Sequence, residues 1–369
     1  MSNDFPVSPP RAWAEIDLAA MRRNLEVARQ SGPVDVMAVV KADAYGHGLE
    51  QISKGLEHAG ILFFGVANVG EGRRIQAAGV KTRIYLLGAT WAAERDEIVT
   101  RDFTPCLSSM VEAQDFDRIA KQRGVRFRVH LALDTGMGRG GFLIDELPEL
   151  LPKLQSLENL EIEGLGSHLP SADEDEAFTK RQFAVFRESI EKLGGIDQFK
   201  IRHLANSAGL LGYEGEVCNL VRPGLMLYGI SPLPAFQEKL SNVLTLKSRI
   251  TLIRTLPPGH GVSYGREFVT SRPTRVATVG IGYGDGYPRQ VSGKDAEVWI
   301  KGQRFPIIGR VTMDQTMIDV TGADEIAEGD EVEMFGANLS VTEVSKKAGM
   351  IVWEIFTGIA PRVVRCYQD

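Results

Sequence analysis

The sequence has 369 residues, 43% hydrophobic and 24% charged, a globular balance with length enough for two domains. It has no apolar run of about 18 residues to span a bilayer, and Met1–Arg11 lacks the basic start and apolar stretch of a secretion signal. The net charge of −6 comes without a basic cluster, which argues against nucleic acid as a partner. Cys106, Cys218 and Cys366 stand in no metal-type spacing and fit free thiols in a reducing cytoplasm.

In chain order, a first helix is predicted after Asp17, with Leu18, Met21, Leu25 and Ala28 on one face. A strand-like run follows at Val34–Lys41. Further runs lie at Leu62–Ala67, Arg83–Gly88, Phe103–Leu107, Val125–Leu133, Leu160–Ser167, Lys200–Leu204 and Asn219–Leu227. Helical stretches separate most of them. The clearest is Glu174–Leu193, where Phe183, Phe186, Ile190 and Leu193 share a face and Gly194-Gly195 ends it. Eight strands alternating with helices predict an α/β fold, a parallel (β/α)₈ barrel over about residues 1–235. The opening residues, to about 16, are expected against the second domain. Gly229–Pro234 reads as a linker. Beyond it, residues 236–369 read as mostly β, with strands at Val243–Thr255, Arg275–Gly282, Ala296–Ile300, Phe305–Ile308, Thr316–Val320 and Glu331–Phe335. The one long amphipathic helix expected there is Val341–Ala348.

In such barrels the catalytic groups sit at the C-terminal ends of the strands. Lys41 ends the apolar run Val36–Val40. A lysine there can lose its proton through desolvation and attack a carbonyl; from position alone it equally reads as a strand-end residue reaching solvent. Arg139, in the glycine-rich Asp134–Gly141, suits a carboxylate. His168 ends the sixth strand, Asn206-Ser207 the seventh, and Arg222-Pro223-Gly224 falls in the eighth, where barrels often bind phosphate. In the second domain the loops Gly261–Gly265, with Tyr264, and Gly309–Gln315, with Met313, stand out. Gly282–Tyr287 is glycine-rich but lacks a strand–GxGxxG–helix setting, which excludes a dinucleotide site. Each of these signals also has a plain structural reading.

Together they resemble one family. Val39–Gly48 is similar to the cofactor-lysine motif of alanine racemases. The segments around Arg139, His168, Asn206-Ser207, Arg222–Gly224, Val262–Gly265, Gly282–Tyr287 and Met313–Gln315 match in order and approximate spacing, from Trp13 to Arg362. The resemblance implies a cytoplasmic isomerase that carries pyridoxal 5'-phosphate on Lys41 and makes D-alanine, a peptidoglycan precursor. It implies Lys41 and Tyr264 as bases on opposite faces of Cα, with a chain from Tyr264 through His168 to Arg222. It places Arg222 at the pyridine nitrogen, and Tyr45, Ser207 and the backbone of Gly224 and Leu225 at the phosphate, with His168 and Asn206 also around the cofactor. Arg139, Met313, Tyr283 and Asp314 are implied around the substrate. It further implies a homodimer with shared sites and no metal.

Two positions depart from the family pattern. Ala132 stands where many relatives have a lysine, often carbamylated, that holds the arginine. Gly358–Arg362 lacks the tyrosine that relatives aim at the phosphate. Serine or a broader set of amino acids remains open as substrate, since packing at Cβ sets it. No acidic motif marks the pocket that a decarboxylase of the same barrel type would need for basic side chains. A cofactor-binding regulator would lack the second domain, and no His-x-His pair marks a metal-dependent barrel hydrolase.

Overall fold

A computed structural model describes residues 9–32, 34–213 and 217–369. They form two compact units. One takes Ala20–Ala44 and Gly48–Ser241; the other takes the chain up to Ala19, Tyr45–His47 and Asn242–Asp369.

In the first unit, eight strands make two parallel ladders. One runs Leu220–Val221, Asp35–Val39, Phe63–Val66, Arg83–Leu86; the other runs Cys106–Leu107, Phe127–Asp134, Leu160–Gly166, Ile201–His203. The ladders join at both edges. Thr104 N donates to Ile84 O at 2.8 Å and Leu86 N to Thr104 O at 2.9 Å, while Asn219 N donates to Arg202 O at 3.0 Å and Arg222 N to Ala205 O at 2.9 Å. The sheet therefore closes on itself as a barrel, and every edge finds a partner. Strands covered on both faces read as unbroken apolar runs, as Val36–Val39 does. Met37, Phe63, Tyr85, Cys106, Ile201 and Leu220 pack together in the interior.

Helices fill the connections, started by side-chain caps at Asn68, Ser109 and Asp175. The helix Glu176–Lys192 buries Phe183, Phe186 and Ile190, and Gly194 and Gly195 follow it with φ of 113° and 89°. Gly229–Pro234 does not behave as an exposed linker. Ile230 is buried beside the fully buried Tyr228, Gln237 Nε2 donates back to Gly229 O at 2.9 Å, and the unit continues past Ala235 to Ser241.

The second unit is built on an eight-stranded sheet. Its spine is the long strand Leu244–Leu256, which pairs antiparallel with Ala12–Asp17, Glu331–Phe335 and Thr274–Val279. Ala12–Asp17 also pairs in parallel with Val364–Gln368. Neither of these flanking strands stands out in the sequence, and the short hairpin Gly261–Val262/Phe268–Val269 and the helix Val352–Gly358 add further elements. Tyr45–His47 belongs to this unit by its contacts. Arg365 donates twice to Gly46 O at 3.1 Å, Tyr367 donates to His47 O at 3.0 Å, and the His47 ring stands edge-on to Phe356. No helix among the described residues is long and apolar enough to cross a membrane.

Candidate active site

Lys41 sits two residues past the first barrel strand, and the chain then turns the wrong way. Ala42, Asp43, Ala44 and Tyr45 have φ of 54°, 56°, 53° and 53°, a left-handed helical turn made without glycine. Each such residue costs roughly 1–2 kcal/mol, and strain of this kind gathers at functional sites. Glu71 holds the turn: its carboxylate accepts from Ala42 N at 2.6 Å and Ala67 N at 2.8 Å. Glu71 sits at the first turn of a helix capped by Asn68, so the Asn-x-x-Glu spacing is its only sequence signal. The Lys41 amine is lowered from the ordinary lysine value, first by burial and then by the positive charges of Arg139 and Arg222, with Glu71 opposing.

Arg222 follows the eighth strand and is buried. Its Nη1 donates to His203 O at 3.0 Å and to His203 Nδ1; its Nη2 donates to Ser167 O, to Leu204 O at 3.3 Å and to His168 Nδ1 at 3.1 Å. Guanidinium can only donate, so His168 accepts at Nδ1 and carries its proton on Nε2. Burial, with the charges of Arg222, Arg139 and Lys41, pushes His168 down to about 3. The ring is therefore neutral, and the cation of the implied chain is Arg222. Gln182 Nε2 fixes the His168 backbone, donating to its carbonyl at 3.1 Å.

Ser207 is buried, and its Oγ accepts from Gly224 N at 3.0 Å and Met226 N at 3.4 Å. Asn206 is occupied by protein at both ends of its side chain, capping Gly209 N at 3.0 Å and donating to Leu169 O at 3.1 Å. Tyr45 is buried and pushed up to about 12, so it stays a neutral donor. Hydroxyl and backbone donors of this kind suit a phosphate. Asp134 braces the loop that bears Arg139, accepting from Gly136 N, Met137 N and Gly138 N at 2.8 to 3.1 Å. Arg139 itself is exposed and has no hydrogen bond or ion pair among the described residues; Ala132, as the sequence implies, offers it none.

In the other unit, three loops are zipped together. Tyr283 N donates to Thr312 O at 3.0 Å, Gly284 N to Met313 O at 2.8 Å, and Ser263 Oγ to Arg310 O at 2.6 Å. A Cβ on Gly282 would fall 2.1 Å from Thr312 O, so only glycine permits this approach. Tyr264 lies between Ser263 and Gly265, with φ of 64° and 73°, and is 71% exposed. Met313 and Tyr283 are exposed in the same unit. Asp314 is engaged by Arg362 at 2.7 Å, and Arg362 also binds the buried Asp285 at 2.7 Å. That clamp gives Asp314 a role in holding the loops and explains the Pro361-Arg362 at their back.

A closed (β/α)₈ barrel with a desolvated lysine, flanking guanidinium groups and a β-rich companion unit defines a barrel enzyme of lysine-centred carbonyl chemistry. Sequence models for the alanine racemase N-terminal and C-terminal domains match residues 16–232 and 243–367. The chain is 38% identical over 367 residues to the alanine racemase of Halothermothrix orenii, covering 97% of each. It superposes on the alanine racemase of Clostridium difficile 630 with a TM-score of 0.93 at 33% identity, covering 98% of this chain and 97% of that one. The enzyme from Bartonella henselae, solved with covalently bound pyridoxal phosphate, matches at a TM-score of 0.89 and 30% identity, covering 98% of this chain and 100% of that one. The chain belongs to the alanine racemase family.

Proposed function

We propose that this chain interconverts L- and D-alanine by moving the Cα proton between two bases, Lys41 for the D face and Tyr264 for the L face. The observation that carries the reading is the setting of Lys41: a half-buried amine, lowered by burial and by Arg139 and Arg222, directly after an apolar barrel strand. Pyridoxal phosphate, when bound, supplies the electron sink for the carbanion left at Cα. The residues present fit it, with Lys41 to carry it, Tyr45, Ser207, Gly224 and Leu225 for the phosphate, and Arg222 for the pyridine nitrogen. Arg222 offers that nitrogen a hydrogen bond without giving up a proton, which weakens the sink and disfavours transamination. His168, neutral and protonated at Nε2, hands a hydrogen bond toward the Tyr264 oxygen, so the Arg222 charge reaches the phenol through a neutral ring. Arg139 and the Met313 backbone bind the substrate carboxylate. Two copies of the chain form an isologous dimer in which Tyr264 and Met313 of each serve the barrel of the other. The free cysteines suit a reducing cytoplasm.

Borohydride reduction of the yellow holoenzyme tests the centre of this reading. The expected outcome is a single labelled peptide containing Lys41, together with loss of optical activity when L-alanine is incubated with the unreduced protein. A label on another lysine removes Lys41 from the reaction.

A further inference from the structure

Behind Arg222, a chain of polar side chains crosses the apolar barrel interior. His203 Nε2 lies 2.9 Å from His130 Nδ1, His130 Nε2 lies 3.4 Å from Glu163 Oε2, and Glu163 is paired to Arg83 at 2.6 and 3.1 Å. His130, His203 and Glu163 are fully buried, while Arg83 opens its strand at the N-terminal end of the barrel and is partly exposed. Room for the rings is made by two glycines of one strand. A Cβ on Gly164 would fall 2.8 Å from the His130 ring, and one on Gly166 would fall 2.1 Å from His203 Cε1. The rings are packed edge-on and tilted against Tyr85. Apolar side chains filling this volume would be at least as stabilising, so the chain calls for a purpose beyond packing.

Its hydrogen bonds allow one proton arrangement. Arg222 only donates, so His203 accepts at Nδ1, carries its proton on Nε2 and gives it to His130 Nδ1. His130 then carries its proton on Nε2 and gives it to Glu163, an acceptor when ionised. Both rings are held neutral: burial, then the Arg222 charge and the neighbouring imidazoles, takes His203 well below the usual histidine value, and burial likewise lowers His130. Burial opposes the charge on Glu163, but hydrogen bonds from His130 and Arg83 outweigh it and bring the carboxyl down to about 2. The nearest carboxylate hydrogen-bonded into the Arg222 cluster is thus two imidazoles away, and bonds polarised in one direction reinforce one another.

We propose that Glu163, His130 and His203 are positioning residues for Arg222: the carboxylate fixes the proton on each ring, so that His203 meets the guanidinium with a lone pair and Arg222 is held with its Nε–H, bonded to no described residue, for the cofactor ring. This rests on the reading that Arg222 faces that ring. Glu163→Gln removes the acceptor-only end of the chain, because an amide can also donate. The reversed tautomers then become populated and set a His203 N–H against the Arg222 N–H.

Solid-state 15N NMR of holoenzyme carrying labelled histidine reads the protons directly. The parent protein is expected to show both rings neutral with the proton on Nε2. Glu163→Gln is expected to populate Nδ1–H at both rings, to shift the absorption maximum of the bound cofactor, and to lower kcat for alanine roughly tenfold, the order of one charge-assisted hydrogen bond, with KM little changed. Should that variant fail to fold, Gly166→Ala probes the same contact by displacing the His203 ring and is expected to give the same spectral shift. A proton on His203 Nδ1 in the parent overturns the chain and leaves Lys41 and Tyr264 untouched. Parent spectrum and kcat in a variant whose rings have reversed, or a lower melting temperature with nothing else changed, overturns the positioning role. A parent protein that does not racemise alanine removes the underlying reading instead.

Discussion

A base on each face of Cα predicts that losing one is not equivalent to losing the other. Tyr264→Ala should nearly abolish proton removal from L-alanine and still permit Cα–deuterium exchange on D-alanine through Lys41. One lost proton-transfer partner is worth roughly 10²–10⁴ in rate, so the asymmetry is readable by NMR in deuterated water. Tyr264 is largely exposed and packs against little in its own unit, so a general loss of stability is not expected to mask the result. Equal exchange from both enantiomers would remove Tyr264 from the mechanism. Residues of this kind were legible in the sequence because strand-end lysines and glycine-flanked loops carry marks that chemistry requires. Glu71, His130, Glu163 and His203 were not. Their partners lie 19 to 80 residues away, at Ala42, Arg83, His203 and Arg222, and only the folded barrel brings them together. Asp314 stands in a loop that the sequence marks, but its clamp to Arg362 carries no sequence signal.

Among the elements, the left-handed turn after Lys41 links backbone strain to chemistry. Its sequence, Ala42-Asp43-Ala44-Tyr45, carries no glycine until Gly46, so nothing in it announces positive φ, and it reads simply as a loop. The barrel strands were legible because parallel strands buried on both faces are continuous apolar runs. The flanking strands Ala12–Asp17 and Val364–Gln368 mix Glu, Asp and Arg with apolar residues and are recruited by pairing, not by pattern. Glu71 supports the turn twice over, by hydrogen bonds and by the charge it sets against the lowered Lys41. Glu71→Gln should destabilise the barrel by about 2 kcal/mol, since hydrogen bonds to charged groups are worth about 1.5–3. The sign of its pH effect is fixed as well. Glu71 raises the Lys41 pKa against burial and the two arginines. Removing its charge lets the amine fall further, so neutral amine persists to lower pH. The acid limb of pyridoxal phosphate binding to apoenzyme should therefore move to lower pH in Glu71→Gln, as followed by absorbance. A limb that moves to higher pH would exclude this electrostatic role.

At the scale of the whole molecule, the buried imidazoles set the acid side of stability. His130, His168 and His203 are all lowered, His168 to about 3, by burial first. Well above a pH of about 6.5 neither state is protonated at these rings; below it the unfolded chain takes up protons that the folded one refuses, and stability falls. His168 and His203 should each cost roughly 1 kcal/mol between pH 6.5 and 5.5, whereas Glu163, a lowered carboxyl, keeps its full contribution above about 4.3 and loses it only below. Denaturation at fixed protein concentration over that range should show the drop, and a flat profile would contradict neutral buried rings. Lys41 belongs to the barrel unit, while Tyr264 and Met313 belong to the other. If each copy lends Tyr264 to the barrel of its partner, a Lys41→Ala chain and a Tyr264→Phe chain are each inactive alone but complementary when mixed. A heterodimer holds one site with both lesions and one with neither. After subunit exchange, random pairing makes half of the dimers mixed, each with one intact site of two, so about a quarter of the parent activity per site should return. A site built within one chain would return none, since every barrel would then meet a lesion of its own. Measuring racemisation against mixing time, with exchange followed independently by a mass-tagged copy, separates the two arrangements.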